Sequence, residues 1–143
     1  MDLPRDEIAF RKDYEKLVVA GSLTTIFRPG NRIFPNYRGY KLAEVVTARI
    51  IEKPGSDVEE IPPLFNDIKI RVSIEDIEAV NVYALQPDAF SGSSPDVQNV
   101  KDLLQHLEHI YREPISAFDN VITRISLRYL EQIDASSIAR SAS

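Results

Sequence analysis

Cysteine is missing from this sequence of 143 residues, and so is any long hydrophobic run. The absence of cysteine excludes a disulfide scaffold, a thiolate metal site and a thiol nucleophile. Stability then rests on packing alone, which is typical of a reducing interior, so we expect a cytoplasmic protein. No apolar run approaches the roughly 20 residues of a membrane-spanning helix. The opening residues, MDLPRDE, are acidic and polar, and we expect no secretory signal.

Hydrophobic residues make up 43% of the chain and charged residues 27%, which is the composition of one ordinary soluble domain. We expect a single domain over residues 8–130, with flexible ends at 1–7 and 131–143. This length is sufficient to bury about two-thirds of the surface of the unfolded chain. The formal net charge of −5 argues against a protein that binds nucleic acid through its overall charge.

Two helices are predicted from the spacing of apolar residues. Residues 11–20 place their apolar side chains on one helical face, and Gly21 follows where a helix C-cap favours glycine. For the second helix, Ser94 is the expected N-cap, Pro95 suits the first helical position, and Pro114 ends the helix. The apolar stripe of this second helix consists of Val97, Val100, Leu104, Leu107 and Tyr111.

Strands are predicted where apolar and polar residues alternate. Residues 68–74 alternate strictly, which predicts a strand with one buried face, and residues 121–129 show the same pattern. Residues 40–52 are rich in β-branched side chains, as is typical of a long curved strand. Shorter strands are expected at 8–10, 24–27 and 80–85.

This order of helices and strands predicts an α+β fold. Strict alternation of strand and helix is missing, which argues against a doubly wound parallel sheet. The simplest arrangement that buries the long alternating strands is a small, strongly bent or partly closed β-barrel. The two main helices would then pack outside that barrel.

Charge is distributed unevenly along the chain. Residues 17–43 contain four basic residues and no Asp or Glu, whereas the other 116 residues contain 13 basic and 22 acidic ones, a balance of −9. The basic residues of this acid-free segment are Arg28, Arg32, Arg38 and Lys41. We interpret the segment as a region where an anion binds. An ordinary solvated loop, with its phenylalanines in the core, is the alternative interpretation.

The acid-free segment also carries the other groups that single-stranded or flipped nucleotides require. Cations neutralise phosphate, aromatic rings stack on bases, and small hydroxyl side chains bond to bases or sugars. Arg124 joins this group if its strand lies beside residues 23–28, and it is structural if it pairs with Glu44 or Glu131 instead. The predicted nucleic-acid-binding residues are Arg28, Arg32, Arg38, Lys41, Thr24, Thr25, Tyr37, Tyr40 and Arg124.

Patterns typical of metal sites are weak. His106 and His109 are three residues apart on the second predicted helix but lie away from its apolar stripe. No third ligand has a matching spacing, although a zinc site requires three or four. We therefore interpret both histidines as surface residues and expect neither a metal nor a cofactor.

Patterns typical of catalysis are equally weak. Three acidic residues, Glu75, Asp76 and Glu78, follow the 68–74 strand, where we expect them to be solvated or to cap a helical turn at 75–79. The catalytic alternative is that one of them acts as a general acid or base. We expect no catalytic residues.

The order of features over residues 8–30 resembles the start of an ASCH domain, within the PUA-like superfamily of small β-barrels. In that family a short strand leads into a helix that ends at glycine, and the next strand carries the motif G-x-K-x-x-E-x-R. Here Gly21 and Arg28 match the motif, while Leu23 and Ile26 stand at its lysine and glutamate positions. The resemblance implies a PUA-like fold over about residues 8–130.

The ASCH resemblance also implies a function, which is the binding of RNA or modified nucleosides in a cleft beside this strand. Small bacterial ASCH proteins that act as acetylcytidine amidohydrolases are thought to use the motif lysine, with a threonine at the position of Ile26. Because Leu23 and Ile26 supply neither group, we expect binding without catalysis.

Two other functions stay open on the sequence alone. One is a small amidohydrolase or nuclease that uses Thr24 or Thr25 with one of the three acids after the 68–74 strand. The other is a protein-interaction module that uses the acidic surface and an exposed strand edge.

Overall fold

The computed structural model describes residues 6–36, 39–55 and 59–133. Its strands are β1 Glu7–Arg11, β2 Thr25–Pro29, β3 Val45–Lys53, β4 Leu64–Asn81 and β5 Val121–Ile133. They form one five-stranded sheet in the order β1-β3-β4-β5-β2. The sheet is mixed, because β1 pairs with β3 in parallel, whereas β3–β4 and β2–β5 are antiparallel.

Two α-helices accompany the sheet, α1 Glu15–Val19 and α2 Val100–Tyr111. Short 3₁₀ turns occupy Lys12–Tyr14, Val82–Ala84, Pro87–Phe90 and Ile115–Phe118. The α+β class predicted from the sequence is therefore confirmed. No helix within the described ranges has the length and apolar character needed to cross a bilayer.

The boundaries of both helices differ from the predicted ones. The segment predicted as a helix over 11–20 is divided into a 3₁₀ turn and the five residues of α1. The second helix is capped by Asn99, whose side chain accepts a 2.8 Å hydrogen bond from the Asp102 amide, and not by Ser94. Ser94 lies in a preceding turn, where its hydroxyl donates to the Asp96 carboxylate. The predicted N-cap was wrong because this turn satisfies the Ser94 hydroxyl locally.

β4 is much longer than the strand predicted at 68–74. It continues through the acidic residues to Asn81, so the helical turn predicted at 75–79 does not form. The strand predicted at 80–85 is wrong as well, since a 3₁₀ turn begins at Val82. The amide of Val82 donates to the carbonyl of Asn120 at 2.8 Å. Pairing between distant segments thus overrides the local sequence pattern.

Two compact units can be distinguished along this chain. The first contains the described residues of 1–22, 45–73 and 128–143, and the second contains 23–44 and 74–127. In the first unit, alternate side chains of the strands are buried, together with Val18 of α1. The buried strand residues there are Ile8, Phe10, Val46, Ala48, Ile50, Ile70 and Val72.

The second unit has its own hydrophobic core, which packs α2 against β2, β5 and the neighbouring turns. Phe27 of β2 and Phe90 lie with their ring centroids 5.3 Å apart in this core. Its buried members are Phe27, Val82, Phe90, Val97, Leu103, Leu107, Ile115 and Ile122. Those nucleic-acid-binding residues predicted from the sequence that the structure describes all lie in this unit.

Candidate nucleic-acid interface

The pairing of β2 with β5 divides the predicted site between two faces of the sheet. Phe27 lies opposite Arg124, and Arg28 lies opposite Thr123. Directly opposite residues of an antiparallel pair project to the same face, and successive residues of a strand project to opposite faces. Arg28 and Arg124 therefore lie on opposite faces, although their strands are neighbours.

Arg124 is engaged on its own face. Its Nε donates to the Ala89 carbonyl at 2.9 Å, and its Nη1 donates to Ser126 Oγ at 3.3 Å. The same Nη1 lies 3.9 Å from the Asp76 carboxylate. Only 17% of the side chain is exposed. The described contacts of Arg124 thus attach the Pro87–Phe90 turn to β5.

Thr24 and Thr25 both contact the segment that follows this turn. The amides of both threonines donate to the Gly92 carbonyl, at 2.9 and 3.0 Å, and Thr25 Oγ1 donates to the Ser91 carbonyl at 2.6 Å. Gly92 has a φ of +83°, and a Cβ at this position would lie 2.2 Å from Thr24 Oγ1. Glycine is therefore required for the close approach of this segment to β2.

Arg28 and Arg32 meet at Thr123, on the other face of the β2–β5 pair. Arg28 is the cross-strand neighbour of Thr123. The fully buried Thr123 hydroxyl accepts a 2.7 Å hydrogen bond from the Arg32 amide and donates to the Gly30 carbonyl at 2.7 Å. The Arg32 guanidinium also donates to the Pro29 carbonyl at 3.2 Å. The residues that follow β2, from Gly30 to Arg32, are thereby held on β5.

The segment after Arg32 forms a short two-stranded ribbon with residues 39–41. Ile33 and Tyr40 are bridged in parallel, with Tyr40 N donating to the Arg32 carbonyl and Phe34 N donating to the Tyr40 carbonyl. Next to this bridge, the Lys41 ammonium lies over the ring of Phe34, the residue after Ile33.

The ribbon explains which of its rings is exposed. Tyr40 is buried, with 8% of its surface exposed, so its ring is not an open face for a base. Phe34 is 41% exposed, and the Lys41 ammonium lies 4.4 Å from the centroid of its ring. We call Arg28, Arg32, Phe34 and Lys41 the basic loop surface.

Phe34 is not among the site residues predicted from the sequence. A phenylalanine in a loop of mixed composition is as readily assigned to the core as to the surface. Its exposure and its contact with Lys41 are visible only in the structure. Two of the predicted residues, Tyr37 and Arg38, lie outside the described part of the chain.

The two positions at which the sequence departs from the ASCH motif are buried and apolar. Leu23 is 3% exposed and Ile26 is 5% exposed. Ile26 pairs with Ile125, and Thr25 pairs with Ser126, so no one-residue shift of β2 brings a threonine to the position of Ile26. Neither the lysine nor the threonine used by the acetylcytidine amidohydrolases has a counterpart at these positions.

The remaining candidates for chemistry lie elsewhere in the second unit. Glu75, Asp76 and Glu78 are exposed residues of β4. His109 is exposed, whereas His106 is half-buried with Nδ1 3.6 Å from the Asp96 carboxylate. Over the described ranges, no group of three or more potential metal ligands is close enough to hold an ion.

Comparison with known proteins supports the fold. No protein-family model matches the sequence, and no curated protein matches it either. The solved structure of the hypothetical protein PH0355 is similar with a TM-score of 0.55 and 13% identity, over 87% of this chain and 97% of that one. Protein EF3133 from Enterococcus faecalis V583, of the DUF984 family, has a TM-score of 0.51 and 9% identity, over 85% of this chain and 72% of that one.

An ASCH protein is also among the similar structures. A mutant of ZmASCH from Zymomonas mobilis has a TM-score of 0.46 and 14% identity, over 94% of this chain and 78% of that one. The structures of PH0355 and EF3133 share the fold of this chain. At identities this low, the likeness concerns the fold alone.

Proposed function

We propose that this protein binds single-stranded RNA or a nucleotide through the basic loop surface. One observation carries the proposal, which is that the Lys41 ammonium lies 4.4 Å from the centroid of the exposed Phe34 ring. Because the ammonium lies over one face of the ring, a base stacks on the other face while the cation contacts a phosphate. An ASCH protein among the structural neighbours is consistent with this function.

Each member of the basic loop surface has a distinct role in the proposal. Lys41 lies over the Phe34 ring, and Arg32 precedes Phe34 by two residues in the same loop. These two cations contact the phosphates on either side of a base stacked on the ring. Arg28 adds a third cation close to Thr123. The cation–π contact contributes about 0.5–1 kcal/mol at an exposed site, so it keeps ring and ammonium together before the ligand arrives.

Not every residue predicted from the sequence stays in the proposal. Tyr37 and Arg38 belong to the same loop and remain proposed contacts. Tyr40 is omitted because its ring is buried, and Thr25 and Arg124 are omitted because their polar groups bond to the 89–91 segment. The cysteine-free composition makes the cytoplasm the proposed location, where RNA is available.

Equilibrium binding of a fluorescent oligouridylate of about ten nucleotides tests the proposal. The double substitution Arg32→Ala/Lys41→Ala removes two cations from the basic loop surface. We expect it to weaken binding about tenfold, equivalent to about 1.4 kcal/mol. The slope of log K against log salt should fall by about 1.4, because each phosphate contact to a single strand contributes about 0.7.

The matched control is Lys16→Ala/Lys101→Ala, which removes the same charge from two exposed lysines on α1 and α2. Equal weakening by both double variants would contradict a local site and would indicate that net charge alone governs binding. Phe34→Leu separates stacking from charge, since it removes the ring and keeps an apolar side chain. This variant should weaken binding and leave the salt slope unchanged.

A further inference from the structure

A second cationic surface lies in the first unit, on the face of the sheet opposite its core. On this face Arg49 of β3 is directly opposite Lys69 of β4, and Thr47 is directly opposite Arg71. Val46, Ala48 and Ile50 of β3 point to the other face, where they are buried. The three basic residues therefore project together from adjacent positions of two strands.

The arrangement is unfavourable for the protein on its own. Like charges directly opposite each other on antiparallel strands are destabilising, yet Arg49 and Lys69 occupy such a pair. Glu7 of β1 compensates Arg49, with both carboxylate oxygens 3.2–3.3 Å from Arg49 Nη1. Among the described residues, this carboxylate pairs with one of the three cations, Arg49.

The other two cations have no such compensation among the side chains that the structure describes. Neither Lys69 nor Arg71 forms an ion pair or a side-chain hydrogen bond there. Arg49 Nε is buried and has no hydrogen-bond partner. Cationic groups that are kept together at a cost in stability indicate an anionic ligand.

An aromatic ring lies beside the cations. Phe65 of β4 is paired with Ile51, and its half-buried ring centroid is 5.1 Å from the Arg49 guanidinium. Arg49 itself is only 17% exposed, and its guanidinium also donates to the Asn66 carbonyl at 3.4 Å, so it holds the ring beside the exposed Lys69 and the half-buried Arg71. Cations and a ring on a sheet are the features with which sheets neutralise and stack single-stranded nucleic acid. The threonine hydroxyl of Thr47 adds a group able to bond to phosphate or ribose.

We propose that Lys69, Arg71 and Phe65 form a second binding surface for the phosphate backbone and bases of single-stranded RNA, in which Arg49 positions the Phe65 ring. The inference rests on the proposed function only in the choice of RNA as the anion. The ring beside the arginine favours RNA over an anionic membrane, which requires cations but no stacking platform. The surface is separate from the basic loop surface and shares no residue with it.

The test uses the full chain with the same oligouridylate and the double variant Lys69→Ala/Arg71→Ala. Binding should weaken, and the slope of log K against log salt should fall by about 1.4, as expected for two lost phosphate contacts to a single strand. The melting temperature should stay the same or rise, because removing Lys69 relieves the repulsion of Arg49. Lys16→Ala/Lys101→Ala is again the control.

The results separate this inference from the proposed function. If only Arg32→Ala/Lys41→Ala weakens binding, the sheet surface is refuted and the basic loop surface stands. If only Lys69→Ala/Arg71→Ala weakens binding, the proposed function at the loop is refuted and the sheet surface stands. Binding to phosphatidylserine vesicles that depends on Lys69 and Arg71, without RNA binding, would overturn RNA as the ligand.

Discussion

The buried hydroxyl of Thr123 accepts a 2.7 Å hydrogen bond from the backbone amide of Arg32. These residues are 91 positions apart in sequence, and their contact fixes where the basic loop leaves the sheet. The same hydroxyl donates to the Gly30 carbonyl, so one side chain satisfies two backbone groups of the loop. The backbone position of Gly30 and Arg32 after β2 therefore depends on a threonine of β5.

Replacement of Thr123 by valine keeps the shape of the side chain and removes its hydroxyl. The Arg32 amide and the Gly30 carbonyl both lose their described partner. We expect the free energy of unfolding to fall by about 1–3 kcal/mol, the cost of leaving a buried polar group unsatisfied. RNA affinity should fall as well, because the loop is no longer held in one position.

Thr25→Val is the matched comparison for Thr123→Val in denaturant unfolding and RNA binding. Thr25 is also a buried threonine of the β2–β5 pair. Its hydroxyl donates to the Ser91 carbonyl, on the face opposite that of Thr123. This variant should lower stability and leave RNA affinity unchanged. Equal loss of affinity in the two variants would contradict a specific role of Thr123 in positioning the loop.

Gly92→Ala should destabilise the protein for two separable reasons. The positive φ of Gly92 costs about 1–2 kcal/mol for a residue with a Cβ. The new Cβ also meets Thr24 Oγ1, which Thr24→Ala removes. In a double-mutant cycle, Gly92→Ala should therefore cost less in the Thr24→Ala background than in the unaltered chain. Strict additivity of the two unfolding free energies would refute the contact between them.

The buried phenol of Tyr129 should make the protein less stable at alkaline pH. Burial raises the pKa of its phenol well above the ordinary value of 10.0. Above about pH 10 the unfolded chain releases this proton while the folded chain retains it. The contribution of Tyr129 to the free energy of unfolding should therefore be constant below about pH 10 and should fall above it. The decrease is at most about 1.4 kcal/mol per pH unit for one proton.

Urea unfolding of the unaltered chain and of Tyr129→Phe across this pH range measures the contribution of Tyr129. The stability of the unaltered chain relative to that of Tyr129→Phe should fall steadily in the alkaline range, because only the unaltered chain carries this phenol. A difference that is independent of pH would show that the phenol of Tyr129 titrates normally in the folded protein.

The sequence predicts those elements of the fold whose patterns are local. Strict alternation over 68–74 correctly places a strand, because one face of it is buried at Ile70, Val72 and Ile74. The same reasoning stops the strand at Glu75, where alternation ends, although pairing with other strands extends β4 to Asn81. Asn99 was missed as a cap because Ser94 and Pro95 form an equally good local signal.

The sequence indicates which residues the candidate site contains, but it does not indicate how they are arranged. The acid-free segment draws attention to Arg28, Arg32 and Lys41, because a charge asymmetry is visible in the sequence. Which ring is exposed depends on the bridge between Ile33 and Tyr40, which buries Tyr40. Arg124 and Arg28 lie on opposite faces because of the register of β2 with β5. A shift of the register by one residue would place them on the same face.

The most direct test of RNA binding by the basic loop surface is to locate the ligand on the protein by NMR. Amide resonances of the ¹⁵N-labelled chain are followed during titration with the oligouridylate used for the affinity measurements. The account predicts saturable shifts at residues 28–34 and 39–41, which disappear in Arg32→Ala/Lys41→Ala. Shifts that leave these residues unmoved and concentrate on the 89–93 segment and α2 would contradict it.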